Sequence, residues 1–187
     1  MPERNPKKRV SKADWLEVAL QIFRQEGEPG IRIELLARRL NVNKSGFYWH
    51  FKDRSDLLEQ LLDYWENEYT KVVTENTILP SLPPADRLLA VMNMIYDHRL
   101  AELDVHFSAW ALKDPAAARK VQKVVRLRLE YLKDIFIEAG FTESEASMRA
   151  RLFVGYESNE ITMFRFKSKE LAKQYRESRW KLLISGL

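Results

Sequence analysis

The groups best placed to do chemistry in this sequence lie between Lys44 and His50. There an ammonium, a hydroxyl, a phenol, an indole N–H and an imidazole follow one another in the run Lys-Ser-Gly-Phe-Tyr-Trp-His. Such groups donate hydrogen bonds and present flat rings, and only Phe47 adds much apolar surface. They fit the binding of a polar partner better than the making and breaking of bonds. The sequence has no cysteine, no Gly-rich phosphate loop, no His-Glu-x-x-His and no nucleophile elbow, so no enzyme is expected. His98 and His106 stand near Asp97, Glu102 and Asp104, but a metal site needs a convergence of ligands that spacing alone does not supply. Neither metal nor cofactor is expected.

Two elements must hold this cluster in place. Ile33, Leu36, Ala37 and Leu40 recur at helical spacing, giving one apolar face, while Arg38 and Arg39 point elsewhere. Asn41 and Asn43 flank Val42 and suit a tight turn, with Asn43 expected to cap a second helix from Lys44 to His50. A helix, a tight turn and a short polar helix form a helix-turn-helix, whose second helix enters the major groove of DNA. Ahead of it, Ser11 and Asp14 make a near capping box for a first helix reaching Glu26, with Trp15, Val18, Ala19, Ile22 and Phe23 as its buried stripe. Behind it, a fourth helix is expected from Ser55 through Trp65 to about Glu75.

The order apolar-x-x-Leu-Ala-x-x-Leu-x-Val, then Phe-Tyr-x-His-Phe, then a basic residue and Leu-Leu, carried here by Ile33 to Leu58, resembles the N-terminal domain of TetR-type transcriptional regulators. The motif covers roughly the first third of the chain. The resemblance implies an all-α protein of about nine helices, in which a three-helix helix-turn-helix domain (1–54) precedes a helical effector-binding and dimerisation domain (55–187). It also implies a homodimer on double-stranded operator DNA, with repression as the family's habit and release by a small-molecule effector. DNA contact is assigned to Lys44, Ser45, Gly46, Tyr48, Trp49, His50 and Arg54. Arg54 stands where the family usually has Lys, and Gly46 where it often has Thr or Ala. A DNA-binding activator or architectural protein without effector is the alternative.

Charge agrees with this reading. Residues 1–54 hold 12 Lys/Arg against 7 Asp/Glu, whereas residues 55–187 hold 19 against 20, so the positive charge sits with the helix-turn-helix. Arg4, Lys7, Lys8, Arg9 and Lys12 form a basic arm suited to phosphates. With 187 residues, 45% of them apolar, the chain can pack a sizeable core, and no segment suggests a membrane span or a signal peptide. A cytoplasmic location is the default expectation.

The remainder alternates helical stripes with stops. Pro80, Pro83 and Pro84 break the chain, Asp114-Pro115 opens a long helix ending at Gly140, and Thr142 with Glu145 forms another capping box. The last two helices are expected over about 143–166 and 168–184. Their apolar residues Phe153, Tyr156, Phe164, Tyr175 and Trp180 are assigned to a dimer interface. Met92, Tyr96, Trp110 and Phe136 are taken as walls of a pocket for an apolar or aromatic effector, since Met and aromatic side chains adapt to such ligands.

Overall fold

Pairing of backbone groups within single segments dominates the architecture. The computed structural model describes residues 10–164 and 166–186, and every regular element among them is helical. The arm residues Arg4, Lys7, Lys8 and Arg9 lie outside the described residues. The chain divides into two compact units between Tyr64 and Trp65, ten residues beyond the expected boundary, because Leu57, Leu58, Leu61 and Leu62 are buried and belong with the first.

In the first unit, α1 (Lys12–Glu26) opens on the reciprocal cap foreseen in the sequence. Ser11 Oγ accepts from the Asp14 N–H at 3.2 Å, and the Ser11 N–H donates to Asp14 at 2.6 Å. Helix α2 (Ile33–Arg39) ends where Asn41 takes a left-handed φ of 53°, and the Val42 N–H donates back to the Ala37 carbonyl at 3.0 Å. Asparagine tolerates that conformation, so the turn closes without glycine. The next segment, Lys44–Trp49, is a 3₁₀ helix rather than an α-helix, and Asn43 makes no side-chain cap to it. Phe47 anchors the segment, its ring fully buried 5.5 Å from Trp15 and 5.1 Å from Phe51. Burial of large side chains such as these is worth roughly 1.5–3 kcal/mol each.

Helix α3 (Arg54–Glu66) carries the chain out of the first unit and runs on through a π-helical turn (Asn67–Lys71) into α4 (Val72–Thr74). Then follow α5 (Pro84–Asp97), α6 (Asp104–Ala111), α7 (Pro115–Glu138), α8 (Glu143–Glu157), the single turn α9 (Glu160–Met163) and α10 (Lys169–Ile184). The penultimate helix expected to reach Phe166 instead stops at Glu157. Asn159 Nδ2 donates to the Gly155 carbonyl at 2.9 Å and competes with the helical ladder there, and Phe164 is extended. The core of the second unit joins Leu88, Val91 and Met92 of α5, Leu132, Ile135 and Phe136 of α7, and Ala146, Ala150 and Phe153 of α8.

A polar node binds five segments of this unit. The Arg128 guanidinium of α7 donates to both carboxylate oxygens of buried Asp104, at 2.5 and 3.2 Å, and to Thr70 Oγ1 in the π-turn, at 2.9 and 3.1 Å. Ser158 Oγ donates to the same Asp104 at 2.7 Å, and Arg128 also lies 5.4 Å from the Trp65 ring. Removing one partner of a buried ion pair strands the other charge. Arg128→Met is therefore expected to destabilise the second unit by about 3 kcal/mol or more, read by urea denaturation, whereas an unchanged midpoint would mean that Asp104 finds another partner.

Candidate nucleic-acid interface and ligand cavities

Phe47 is turned fully inward, while the two residues that follow it, Tyr48 and Trp49, are 54% and 85% exposed. A 3₁₀ helix of six residues spans about 12 Å, comparable to the width of the major groove. Lys44 and Ser45 are exposed on the same segment, and Arg38, Arg39 and Lys52 are exposed nearby in the chain.

Lys44 Nζ donates to Glu34 Oε1 at 2.5 Å, which raises the ammonium above its ordinary range and holds the Glu34 carboxyl below its own. His50 is half-buried, its Nε2 3.1 Å from the Val10 carbonyl oxygen, so it ties the segment to the chain just ahead of the α1 cap. A Cβ at Gly46 would lie 3.8 Å from Trp15 Cζ2, so this residue faces the α1 side of the segment. Arg54 departs from the phosphate-contacting role expected of it. Its Nε donates to the Ile31 carbonyl at 2.7 Å, and its terminal nitrogen donates to the Glu28 carbonyl at 2.8 Å and pairs with the Glu28 carboxylate. The guanidinium is occupied in closing the loop between α1 and α2. Asp53 and Asp56 instead cap the start of α3, and the backbone N–H of Lys52 keeps the Asp56 carboxyl low.

Two openings of the second unit bear on ligand binding. One is a cavity of about 50 Å³ whose walls include Thr70 of the π-turn, Ile95, Arg128, Tyr131, Phe153 and Glu157. The other is an open cleft of about 510 Å³, bounded by Tyr96, Glu157, Glu160, Ile161, Phe164 and Phe166 among others. The second has the size of a small-molecule site, and the first has room for only a water or two. Of the four expected pocket residues, Tyr96 lines the cleft beneath the Arg176 guanidinium, 4.2 Å away. Met92 and Phe136 are fully buried in the core, and Trp110 packs near Phe107 and borders neither opening. The residues missed, Arg128 and Tyr131, each stand next to an apolar residue of α7, Leu129 and Leu132; burial raises the Tyr131 phenol above its ordinary range.

The expected interface residues also part company. Phe153 is core, Trp180 donates its indole N–H to the Ala85 carbonyl at 2.8 Å, and Tyr156 is stacked between Phe164 and Arg179. Phe164 and Tyr175 are exposed. So are three apolar residues not assigned to the interface: Met148 and Leu152, one turn apart on α8, and Leu182 on α10.

The described residues hold no cluster of His, Cys, Asp or Glu able to bind a metal, and no helix among them is long and apolar enough to cross a membrane.

The family model for bacterial regulatory proteins of the tetR family matches residues 16–61. The HTH-type regulator AcrR of Shigella flexneri is 33% identical over 60 residues, covering 32% of this chain and 28% of that protein. The regulator YttP of Bacillus subtilis is 23% identical over 133 residues, 70% of this chain and 64% of its own. The matches thus span less than two thirds of either relative. Solved structures share the fold over nearly the whole chain. They include a transcriptional regulator from Rhodococcus (TM-score 0.74, 19% identity, 94% of each chain) and FadR of Bacillus subtilis in complex with stearoyl-CoA (TM-score 0.70, 16% identity, 95% of this chain and 100% of that one).

Glu157 is the group in this region whose titration should be felt. Burial pushes its carboxyl up to about 7 against the pull of Arg179, which Glu157 shares with Glu160 at 2.7 and 3.1 Å. A folded pKa above the ordinary 4.5 means the native state holds the proton more tightly. The associated stability is fully present below about pH 4.5 and is lost as the pH rises to about 7. The loss is on the order of 3 kcal/mol. Melting curves taken from pH 5 to 8 should show this decline in the wild type and a flatter profile in Glu157→Gln; equal slopes would remove Glu157 as the cause.

Proposed function

The chain belongs to the tetR family of bacterial regulatory proteins, and from that premise we propose that it is a dimeric, sequence-specific DNA-binding transcriptional regulator, a repressor released from its operator by a small-molecule effector. The observation that carries the reading is the division of the 3₁₀ segment. Phe47 is buried to hold it, while Lys44, Ser45, Tyr48 and Trp49 stand in solvent, with an indole 85% exposed that does nothing for the fold. On a duplex, Tyr48 and His50 meet phosphates, and Lys44, Ser45, Gly46 and Trp49 lie along base edges and groove walls. Arg54 contributes by fixing the loop behind the segment, and phosphate contact falls to Arg38, Arg39 and Lys52 instead.

One such segment covers one half-site, so specific binding calls for two subunits about a two-fold axis. The exposed apolar residues Met148 and Leu152 of α8, with Tyr175 and Leu182 of α10, supply the surface for a second copy of this chain. Gly155, two turns along from Met148, has open space about its Cα and allows a partner helix to approach closely.

The effector enters at the cleft beside Tyr96 and Phe164, and its apolar part reaches toward the smaller cavity as that cavity opens. FadR, with a similar fold, holds stearoyl-CoA, a ligand with a long apolar part. The cavity wall includes Tyr69, Thr70 and Val73, which lie on the same unbroken helical run that begins at Arg54. A ligand that binds one arrangement of this run better than another shifts DNA affinity by that difference.

Genomic fragments retained at low salt supply the operator for the test. Substitution of Lys44, Tyr48 or Trp49 by alanine should each weaken its binding, by about 10-fold or more for a residue making a good base contact, without lowering the melting temperature. Retention unaltered by all three, or no retention by the wild type, would refute the reading. In sedimentation experiments the wild type should run as a dimer and the Leu152→Glu, Leu182→Glu variant as a folded monomer; a variant that remains dimeric would place the interface elsewhere.

A further inference from the structure

From Pro29 to Lys52 the sequence holds Arg32, Arg38, Arg39, Lys44 and Lys52, and a single acid, Glu34. All six side chains are exposed. Glu34 sits in the first turn of α2, and its carboxylate reaches Lys44, the first residue of the 3₁₀ segment, at 2.5 Å. The two side chains retain 69% and 48% of their exposure. A pair so open to water adds little stability. A carboxylate on a surface meant for a polyanion repels that partner. Its effect must therefore be sought in DNA binding, and the inference rests on the DNA-binding reading above.

We propose that Glu34 is a discrimination residue, which occupies the Lys44 ammonium in the free protein and makes its transfer to DNA conditional on the sequence encountered. Binding to arbitrary duplex is driven by counterion release and grows with each phosphate neutralised. While Lys44 is held by Glu34 it neutralises no phosphate, and Glu34 itself repels the backbone, so arbitrary sequence gains little from this corner of the surface. A site that offers Lys44 the paired acceptors of a guanine edge replaces the carboxylate with two directed hydrogen bonds. Discrimination then comes from a charge set against the wrong partner as much as from contacts to the right one.

The test uses the full-length protein with Glu34→Gln, Lys44→Ala and the double variant. Fluorescence anisotropy reads affinity for a scrambled duplex and for a genomic fragment that the wild type retains, across a range of salt. Glu34→Gln should bind the scrambled duplex more tightly and steepen its log affinity against log salt by about 0.9, so that the gain grows by about threefold as salt falls fourfold. Preference for the retained fragment should shrink correspondingly. In the Lys44→Ala background the same substitution should lose most of its effect.

An unchanged slope in Glu34→Gln, or a full effect without Lys44, overturns the proposal. A second measurement does not involve DNA. Carboxyl NMR titration should find Glu34 below its ordinary range in the free protein and returned to it by Lys44→Ala, while no response to Lys44→Ala refutes the pairing. Failure of the wild type to retain any duplex overturns the DNA-binding reading and this inference with it, and is told apart from failure of Glu34 alone by that wild-type control.

Discussion

The rings of Trp15, Phe47 and Phe51 set the position of everything the first unit presents to solvent. A six-residue 3₁₀ helix has too few hydrogen bonds to persist by itself, since ordering each residue costs about 1–2 kcal/mol. Phe47 supplies the missing stability by packing against Trp15 of α1 and against Phe51, and Tyr48 and Trp49, which follow it, are left in solvent. The exposed indole of Trp49 follows from that anchor. The left-handed Asn41 acts at the other end, turning the chain so that the segment begins against α2. A larger anchor, or a residue at position 41 that resists positive φ, would alter the direction of the whole polar cluster.

The second unit is organised by buried charge. Asp104, Glu66 and Glu157 are each buried, and each is met by a cation from a distant part of the chain: Arg128, Lys120 with Lys123, and Arg179. Burial alone would push Glu66 up, but the two ammonium groups outweigh it and hold that carboxyl below its ordinary range. Glu157 comes out the other way because its burial outweighs the pull of Arg179, a guanidinium it shares with a second carboxylate, Glu160. Such pairs add little net stability over a well-packed apolar substitute, yet removing one partner is costly because it leaves the other charge buried alone. Thr70 belongs to the same scheme. Its hydroxyl accepts two N–H groups of Arg128 from within the π-turn, so the extra residue of that turn is fixed by a side chain from α7.

Helical periodicity made most of the fold readable in the sequence, because the period of apolar residues does not depend on what they pack against. The capping boxes at Ser11 and Thr142 are local chemistry and could be read directly. The end of α8 could not, because the competing bond from Asn159 to Gly155 and the bond from Ser158 to Asp104 depend on side-chain placement in three dimensions. The polar surface from Lys44 to Trp49 was legible through its composition. Arg54 was misjudged for a physical reason: a guanidinium on a basic surface invites assignment to phosphate, yet two carbonyls left open in the loop at Glu28 and Ile31 claim it first. Met92 and Phe136 show the converse limit, since an aromatic or a methionine reads alike in a core and in a pocket wall.

What finally separates the two kinds of aromatic residue is competition for a limited interior. Phe107 and Trp65, stacked at 4.3 Å, and Phe136 beside Phe141 at 6.0 Å occupy places where several helices converge, and each ring there is covered on both faces. Tyr156 in the last turn of α8 is stacked on Phe164, which follows the single turn α9 in extended backbone, and Arg179 of α10 lies 4.0 Å from the Tyr156 ring. Phe164 is 44% exposed at the edge of the larger cleft. The end of α8 therefore bears on both openings: Ser158, just past it, bonds Asp104, whose partner Arg128 holds Thr70 of the π-turn, while Phe164, beyond α9, borders the larger cleft with Tyr96.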